Sequence, residues 1–474
     1  MKTSSLPFGP DYLSGAVRYC TGFVRSTLAV CSLIASPLTL ADINGVVVDA
    51  TTKLPIAQAY VTLNGQPTQT DSNGKFNFPT ITVNTSSHSP AATASHDIRV
   101  RSIGYQRHLQ NLPADLAAQS AAPLRIELTP FVPQALYLSV YGIGSGVLRP
   151  AALNVIEKQS PNALVIDVKG DAGLVGYKSD IPMTAQIGAR KVTTVRDMKG
   201  LLDELRGKGV YTIARIVTFK DNLLARTKPE LAIRTKTGEI FQDREGLAWA
   251  DPFQPEVWEY NLQLAEEAAR LGFDEVQFDY IRFPDTRGLK FSKENTEENR
   301  VAAITGFLTA ARQRIEPYNV FLGADIFGYA CWNTNDTEIG QRLEDLAKPL
   351  DVISPMLYPS GFQFGIPGYR NPVQNSHEII YLSLKRAQER TGLKPVHFRP
   401  WLQAFRDYAF DRRVFGPEEI QQQISASDKF GAGGWMMWNP RNVYSAEAYM
   451  PSTRYTLQEQ ESLGAESSGA AKQN

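Results

Sequence analysis

The chain has 474 residues, with 49 Lys+Arg balanced by 49 Asp+Glu, 43% hydrophobic residues and only 5 His. The hydrophobic share is enough for a buried core and excludes wholesale disorder. The balanced charge gives no long-range pull on polyanions, so no nucleic-acid partner is expected. His88, His96, His108, His377 and His397 form neither H-x-H nor H-E-x-x-H, which argues against an imidazole-rich zinc centre. No P-loop or glycine-rich dinucleotide turn is present, so neither metal nor nucleotide cofactor is expected.

The first 41 residues read as a secretory signal: Arg18 and Arg25 precede the apolar run Ser26 to Ala41, with small residues at its end. The run is shorter than the ~20 residues of a spanning helix. Cleavage after Ala41 removes Cys20 and Cys31 and leaves Cys331 as the remaining thiol, with 46 basic and 48 acidic residues. The mature chain is then expected to be exported, periplasmic or extracellular, with no membrane span.

Residues 42–131 are short alternating runs rich in Val and Thr, broken by Asn-Gly and Pro, the texture of a small antiparallel β-sandwich. Asp71-Ser72-Asn73-Gly74 predicts a turn, after which Phe76 and Phe78 share one face. Ser86 to Ser95 reads as a loop, with His88 and His96 solvated. This module resembles the carboxypeptidase-regulatory-like (transthyretin-like) sandwich. The resemblance rests on Gly45 with Val47 and Asp49, Ala57-x-Ala59-x-Val61, Asp71-x-x-Gly74-x-Phe76 and Gly104-Tyr105, and it implies an accessory role.

From Pro133 the texture changes. Apolar runs at 135–141, 163–169, 210–219, 273–281, 320–327, 351–358, 398–405 and 433–439 alternate with amphipathic stretches near 149–160, 194–207, 256–271, 296–316, 337–348, 373–391 and 417–428. A stretch after Asn442 is available for an eighth helix. Eight such repeats predict a (β/α)8 TIM barrel over 132–460, preceded by the all-β module, with a disordered tail over 461–474. The longest insertion, 220–255, follows the third strand.

Chemistry in such barrels sits at the C-terminal ends of the strands. In 273–281, Val276, Phe278 and Tyr280 alternate with Glu275, Gln277 and Asp279. The apolar set packs on helices, so Asp279 points inward at the rim. The same parity brings Asp325 to the rim of the next strand. Two carboxyl groups on strands ~4.8 Å apart can flank one glycosidic bond, one ionised and one protonated. Further candidates for substrate contact are Asp167, Lys169, Arg215, Tyr358, Trp401, Gln403, Trp438 and Asn439. For Asp167, Lys169 and Arg215 a buried structural ion-pair cluster is the competing reading; Trp435 reads as core.

The barrel also resembles a bacterial family of glycoside hydrolases formerly classed as a domain of unknown function. The motifs are Val165-Ile166-Asp167-Val168-Lys169, Arg215-Ile216-Val217-x-Phe219-x-Asp221, Trp249-x-Asp251-Pro252, the string from Gly272 through Asp279 and Arg282 to Pro284, and Ser354-Pro355-Met356-x-Tyr358-Pro359. That family is similar to the α-amylase-like barrels, whose strand-4 Asp is the nucleophile. The resemblance implies that role for Asp279 and adds Arg282 to the substrate contacts. Those barrels often carry a Glu acid after strand 5, where this chain has Asp325. The resulting expectation is an exported enzyme hydrolysing a polysaccharide or oligosaccharide of the envelope or matrix. The rivals are a lyase or transferase using the same pocket, and a silent carbohydrate-binding barrel.

Overall fold

The computed structural model describes residues 42–79, 96–113 and 123–449. The signal segment, the Ser86–Ser95 loop with His88, and the tail lie outside the described residues.

The first seven strands are β1 (Ile43–Asp49), β2 (Tyr60–Leu63), β3 (Gln66–Gln69), β4 (Lys75–Phe78), β5 (His96–Arg101), β6 (His108–Leu112) and β7 (Leu124–Leu128). They form two sheets, ordered β4-β1-β7 and β3-β2-β5-β6. The sheets enclose their own apolar cluster, including Val47, Val61, Phe76, Phe78, Ile98, Val100 and Ile126. The pairing is antiparallel except that β1 and β7 run parallel, a departure from the all-antiparallel expectation. Gly74 turns the chain at φ +70° with Val47's carbonyl close by. His96 is not solvated: it opens β5, is buried, and its Nδ1 meets the Asn64 amide at 2.9 Å.

The next eight strands are β8 (Gln134–Leu138), β9 (Ala163–Lys169), β10 (Tyr211–Val217), β11 (Glu275–Asp279), β12 (Phe321–Phe327), β13 (Val352–Met356), β14 (Trp401–Gln403) and β15 (Trp435–Trp438). They close into one parallel barrel in chain order. The expected helices follow their strands, for example Pro255–Leu271, capped by Gly272 at φ 109°, and Glu297–Ile315, whose N-cap Thr296 accepts from the Asn299 amide. The element expected near 337–348 shrinks to Leu343–Leu346. After Asn442 the described chain holds only a 3-10 turn, Ala446–Ala448.

The pleat sorts side chains as the parity argument requires. Val276 and Phe278 join the cluster between barrel and helices, while Glu275, Gln277 and Asp279 stack upward inside. At the bottom, Glu275 accepts from Arg399 (2.6 Å) and Tyr211 (3.1 Å). In the middle, Gln277 donates to Ser354 Oγ at 3.0 Å. Gly323 faces this layer, where a Cβ would approach Glu275 Oε1 to 2.9 Å. Asp279 forms the top, at the strand ends.

Candidate active site

Arg215, on β10, organises the rim. Its Nε and Nη2 donate to Asp279 Oδ2 at 2.9 and 2.6 Å. Its Nη1 donates to Asp167 Oδ1 at 2.7 Å, and Nη2 also reaches Asp171 Oδ1 at 3.0 Å. Tyr137 donates its hydroxyl to the other Asp167 oxygen at 2.8 Å. The guanidinium is buried and sits 4.9 Å from the Trp438 ring centroid, and Trp438 itself stacks on Tyr137 at 4.0 Å. Burial opposes the charge on Arg215, but Asp279, Asp167 and Asp171 outweigh it and hold its pKa well above the usual value. Burial also pushes Asp167 up to about 6 despite that contact.

Asp279 is pinned from a second direction. Tyr280, just beyond the strand, adopts φ 47°, a left-handed conformation rare for an aromatic residue and costing of order 1–3 kcal/mol. The turn aims the Tyr280 amide back at Asp279 Oδ1, 2.6 Å away. Three charge-assisted or aligned donors thus face this one carboxylate.

Asp325 is held differently. β11 and β12 pair Gln277 with Gly323 and Phe278 with Ala324, so one further step sets Asp279 beside Asp325. Trp401 donates its indole N–H to Asp325 Oδ1 at 2.6 Å. Oδ2 is buried without a partner among the described residues. Burial first, and the neighbouring Asp279 charge second, push the Asp325 carboxyl well above the ordinary carboxylate range. Arg215 gives its hydrogen bonds to Asp167, Asp171 and Asp279 and none to Asp325, which is left buried beside the Asp279 charge. A protonated Asp325 relieves the excess charge.

Above these groups lies a cavity of about 170 Å³, whose walls include Asp279, Asp325, Arg282, Tyr358, Tyr280 and Tyr408. Among the residues singled out from the sequence, Asp279, Asp325, Arg282 and Tyr358 therefore meet at one opening. Asp167, Arg215, Trp401 and Trp438 support it from beneath. Three expectations need correction. Lys169 is not at the opening: a bulge on β9 sets Asp167 opposite Arg215 but Lys169 opposite Ile216, which flips Lys169 to the outer face. There it is fully buried against Asp221 at 2.7 Å, with the Tyr260 ring 4.9 Å away. Gln403 is buried and bound to Ser360 Oγ and the Phe405 carbonyl. Asn439 holds the Ala404 and Val443 carbonyls.

Sequence reasoning missed Tyr280, Tyr329, Phe362 and Tyr408 on the cavity wall. It also missed Tyr137, which the parity of its strand could have indicated, and Asp171, marked only by its Gly170 neighbour. Tyr408 rides on a loop knotted around Asp407. Asp407 accepts from Ser360 Oγ (2.6 Å) and from the amides of Ala409, Phe410 and Arg412. Burial works against the charge, but these donors bring Asp407 down to about 2. The loop order they supply is therefore present above the ordinary Asp range near pH 4 and is lost as pH falls toward 2. Asp407→Asn should raise KM by roughly 2- to 10-fold with kcat largely kept, the scale of one or two hydrogen bonds. Steady-state kinetics on a cleaved glycan checks this, and a kcat loss with unchanged KM would contradict it.

A parallel (β/α)8 barrel whose rim cavity opens on neighbouring carboxyl groups is the architecture of the carboxylate-dependent glycoside hydrolases. Residues 135–444 match the DUF4015 family model, described as "Putative glycosyl hydrolase domain"; the chain belongs to this family and is a glycoside hydrolase by class. Among solved structures it is similar to a hypothetical protein from Ruminiclostridium thermocellum, with 36% identity over 40% of this chain and 96% of that one, at a TM-score of 0.36. It is also similar to the PgaB (BpsB) glycoside hydrolase domain from Bordetella bronchiseptica, with 12% identity over 68% of this chain and 100% of that one, at a TM-score of 0.50. The latter likeness speaks to the fold. No protein of curated function matches the chain significantly.

Proposed function

We propose that this chain is an exported enzyme that hydrolyses a polysaccharide of the cell envelope or matrix, with Asp279 as nucleophile and Asp325 as general acid. The observation that carries the reading is the contrast between two adjacent carboxyl groups. Asp279 is faced by the Arg215 guanidinium and a backbone amide, while Asp325 has one indole donor and burial that favours its protonated form. In this mechanism Asp325 gives its proton to the glycosidic oxygen as Asp279 attacks the anomeric carbon from the opposite face of the sugar ring. The same Asp325, now ionised, then takes a proton from water, which releases the sugar from Asp279. This two-step route retains the anomeric configuration and calls for a carboxyl spacing of ~5–5.5 Å. Export rests on the signal-like residues 1–41, and the two-sheet module is read as the carboxypeptidase-regulatory-like accessory domain.

The acid assignment has a directional pH test. A general acid must be protonated, so the rate should fall as pH rises through the Asp325 pKa. The Trp401 N–H stabilises the ionised carboxylate and so lowers that pKa. Trp401→Phe should therefore move the alkaline limb of the kcat profile to higher pH. A limb that stays in place, or moves to lower pH, removes Asp325 from the role.

A further inference from the structure

Beside the cavity over Asp279 and Asp325 lies a larger one of about 350 Å³, and the two share Tyr280 and Arg282 as walls. The second cavity is built from the long insertion after β10 and the segment after Asp279. Three of its six charged side chains pair with one another. Lys220 holds Glu245 at 2.8 Å and Asp243 at 3.3 Å, and Asp243 also takes the Trp249 indole N–H at 3.0 Å. Arg282 is not engaged in this way. Its guanidinium lies 5.0 Å from the Trp249 ring centroid and 5.4 Å from that of Tyr280. It donates to the Phe283 carbonyl at 3.0 Å, and no carboxylate among the described residues lies within the 4.0 Å of an ion pair. Arg244, on the same wall, is likewise without an ion-pair partner among the described residues, leaving the exposed Asp285 as the remaining carboxylate.

We infer that this second cavity is a subsite for an acidic sugar, with Arg282 as the group that recognises its carboxylate. A guanidinium steadied by two aromatic faces loses little freedom on binding, and its planar fork matches a carboxylate. Tyr280, one residue from Asp279, is a wall common to both cavities, so the acidic unit adjoins the bond to be cut. The inference rests on the hydrolase reading for its place in catalysis, but not for the recognition itself. The chemistry is shared by uronic acids and by amino sugars bearing a lactyl ether.

The test separates these sources and separates the two readings. Binding is measured with Asp279→Asn protein, and cleavage with wild type. The probes are polygalacturonate and alginate, peptidoglycan glycan strands stripped of their stem peptides so that the lactyl carboxylates are free, the carboxyl-reduced form of each, and chitosan as a cationic control. The acidic form should bind roughly 10- to 100-fold more tightly than its carboxyl-reduced counterpart, the scale of a charge-assisted pair. Preference for the uronates or for peptidoglycan identifies the carboxylate's source. Adding Arg282→Met should bring that ratio close to one, and Arg282→Lys should restore part of it. Equal binding of acidic and reduced forms, tighter binding of chitosan, an unchanged ratio in Arg282→Met, or binding to none of the acidic polymers overturns the inference. Acid-selective binding with no cleavage by wild type would fail the hydrolase reading alone. Cleavage without acid selectivity would fail this inference alone.

Discussion

Asp279→Asn should lower kcat by about 10⁴-fold, the scale of losing one member of a catalytic unit, while glycan binding survives. Asn keeps the shape and one of the two acceptor oxygens, enough for the Arg215 donors at the Oδ2 position, and leaves only the Tyr280 amide unmet, so the barrel should remain folded by circular dichroism. What it lacks is the negative charge that attacks the anomeric carbon. A structural role would produce the reverse pattern, with loss of fold and modest loss of rate. Asp279→Gly adds a sharper readout: added azide should restore turnover and give a glycosyl azide of inverted configuration, because the small anion takes the place of the missing carboxylate. Full activity in Asp279→Asn on a glycan that wild type cleaves, or failure of azide to yield the adduct with an active acid, would remove Asp279 from the nucleophile's role.

What the sequence could say about this site depended on where each residue lies relative to the pleat. Within a strand, alternation is a physical constraint, so Asp279, Asp325, Trp401, Arg215 and Asp167 all face the interior as reasoned. The rule fails at a bulge. One extra residue between Asp167 and Lys169 reverses the facing of Lys169, and nothing in the string VIDVK announces it. It also fails where a strand ends. β14 stops at Gln403 and β15 at Trp438, so Gln403 and Asn439 turn to stitch loops together. Tyr408, Phe362 and Tyr329 reach the cavity on loops whose paths are set by tertiary hydrogen bonds such as those around Asp407, not by local periodicity. Tyr280 is the instructive case. Parity alone places it outside, yet its left-handed backbone turns it over the cavity. The strain sits beside Asp279, where its effect is to aim an amide at the reacting carboxylate.

Arg107→Met should cost about 2–4 kcal/mol of stability, the penalty for leaving several buried acceptors unmet, with kcat nearly unchanged. The reason lies in where the two-sheet module sits. Its contacts fall on residues just before the barrel strands begin. Arg107 donates to the Asn319, Phe273 and Tyr318 carbonyls and reaches Asp274 at 3.4 Å. Arg101, buried, pairs with Asp351 at 3.0 Å, and Asn319 answers with donations to the Tyr60 and Arg99 carbonyls. Phe131 packs on Tyr211, the first residue of β10, at 5.5 Å between centroids. All of this is at the N-terminal face of the barrel, the end that serves stability and not chemistry. Asp325 stands four steps above Phe321, where β12 begins, so at ~3.3 Å of rise per residue the start of that strand lies about 13 Å below it. The described contacts of the module are thus with the bottom of the barrel, whose interior there holds the buried charged pair Glu275 and Arg399, and not with the rim. Urea unfolding should show a lower midpoint for Arg107→Met, and hydrolysis below that midpoint should be close to wild type. Unchanged stability, or lost activity in a stable variant, would instead mean that the module acts on the site and not on the fold.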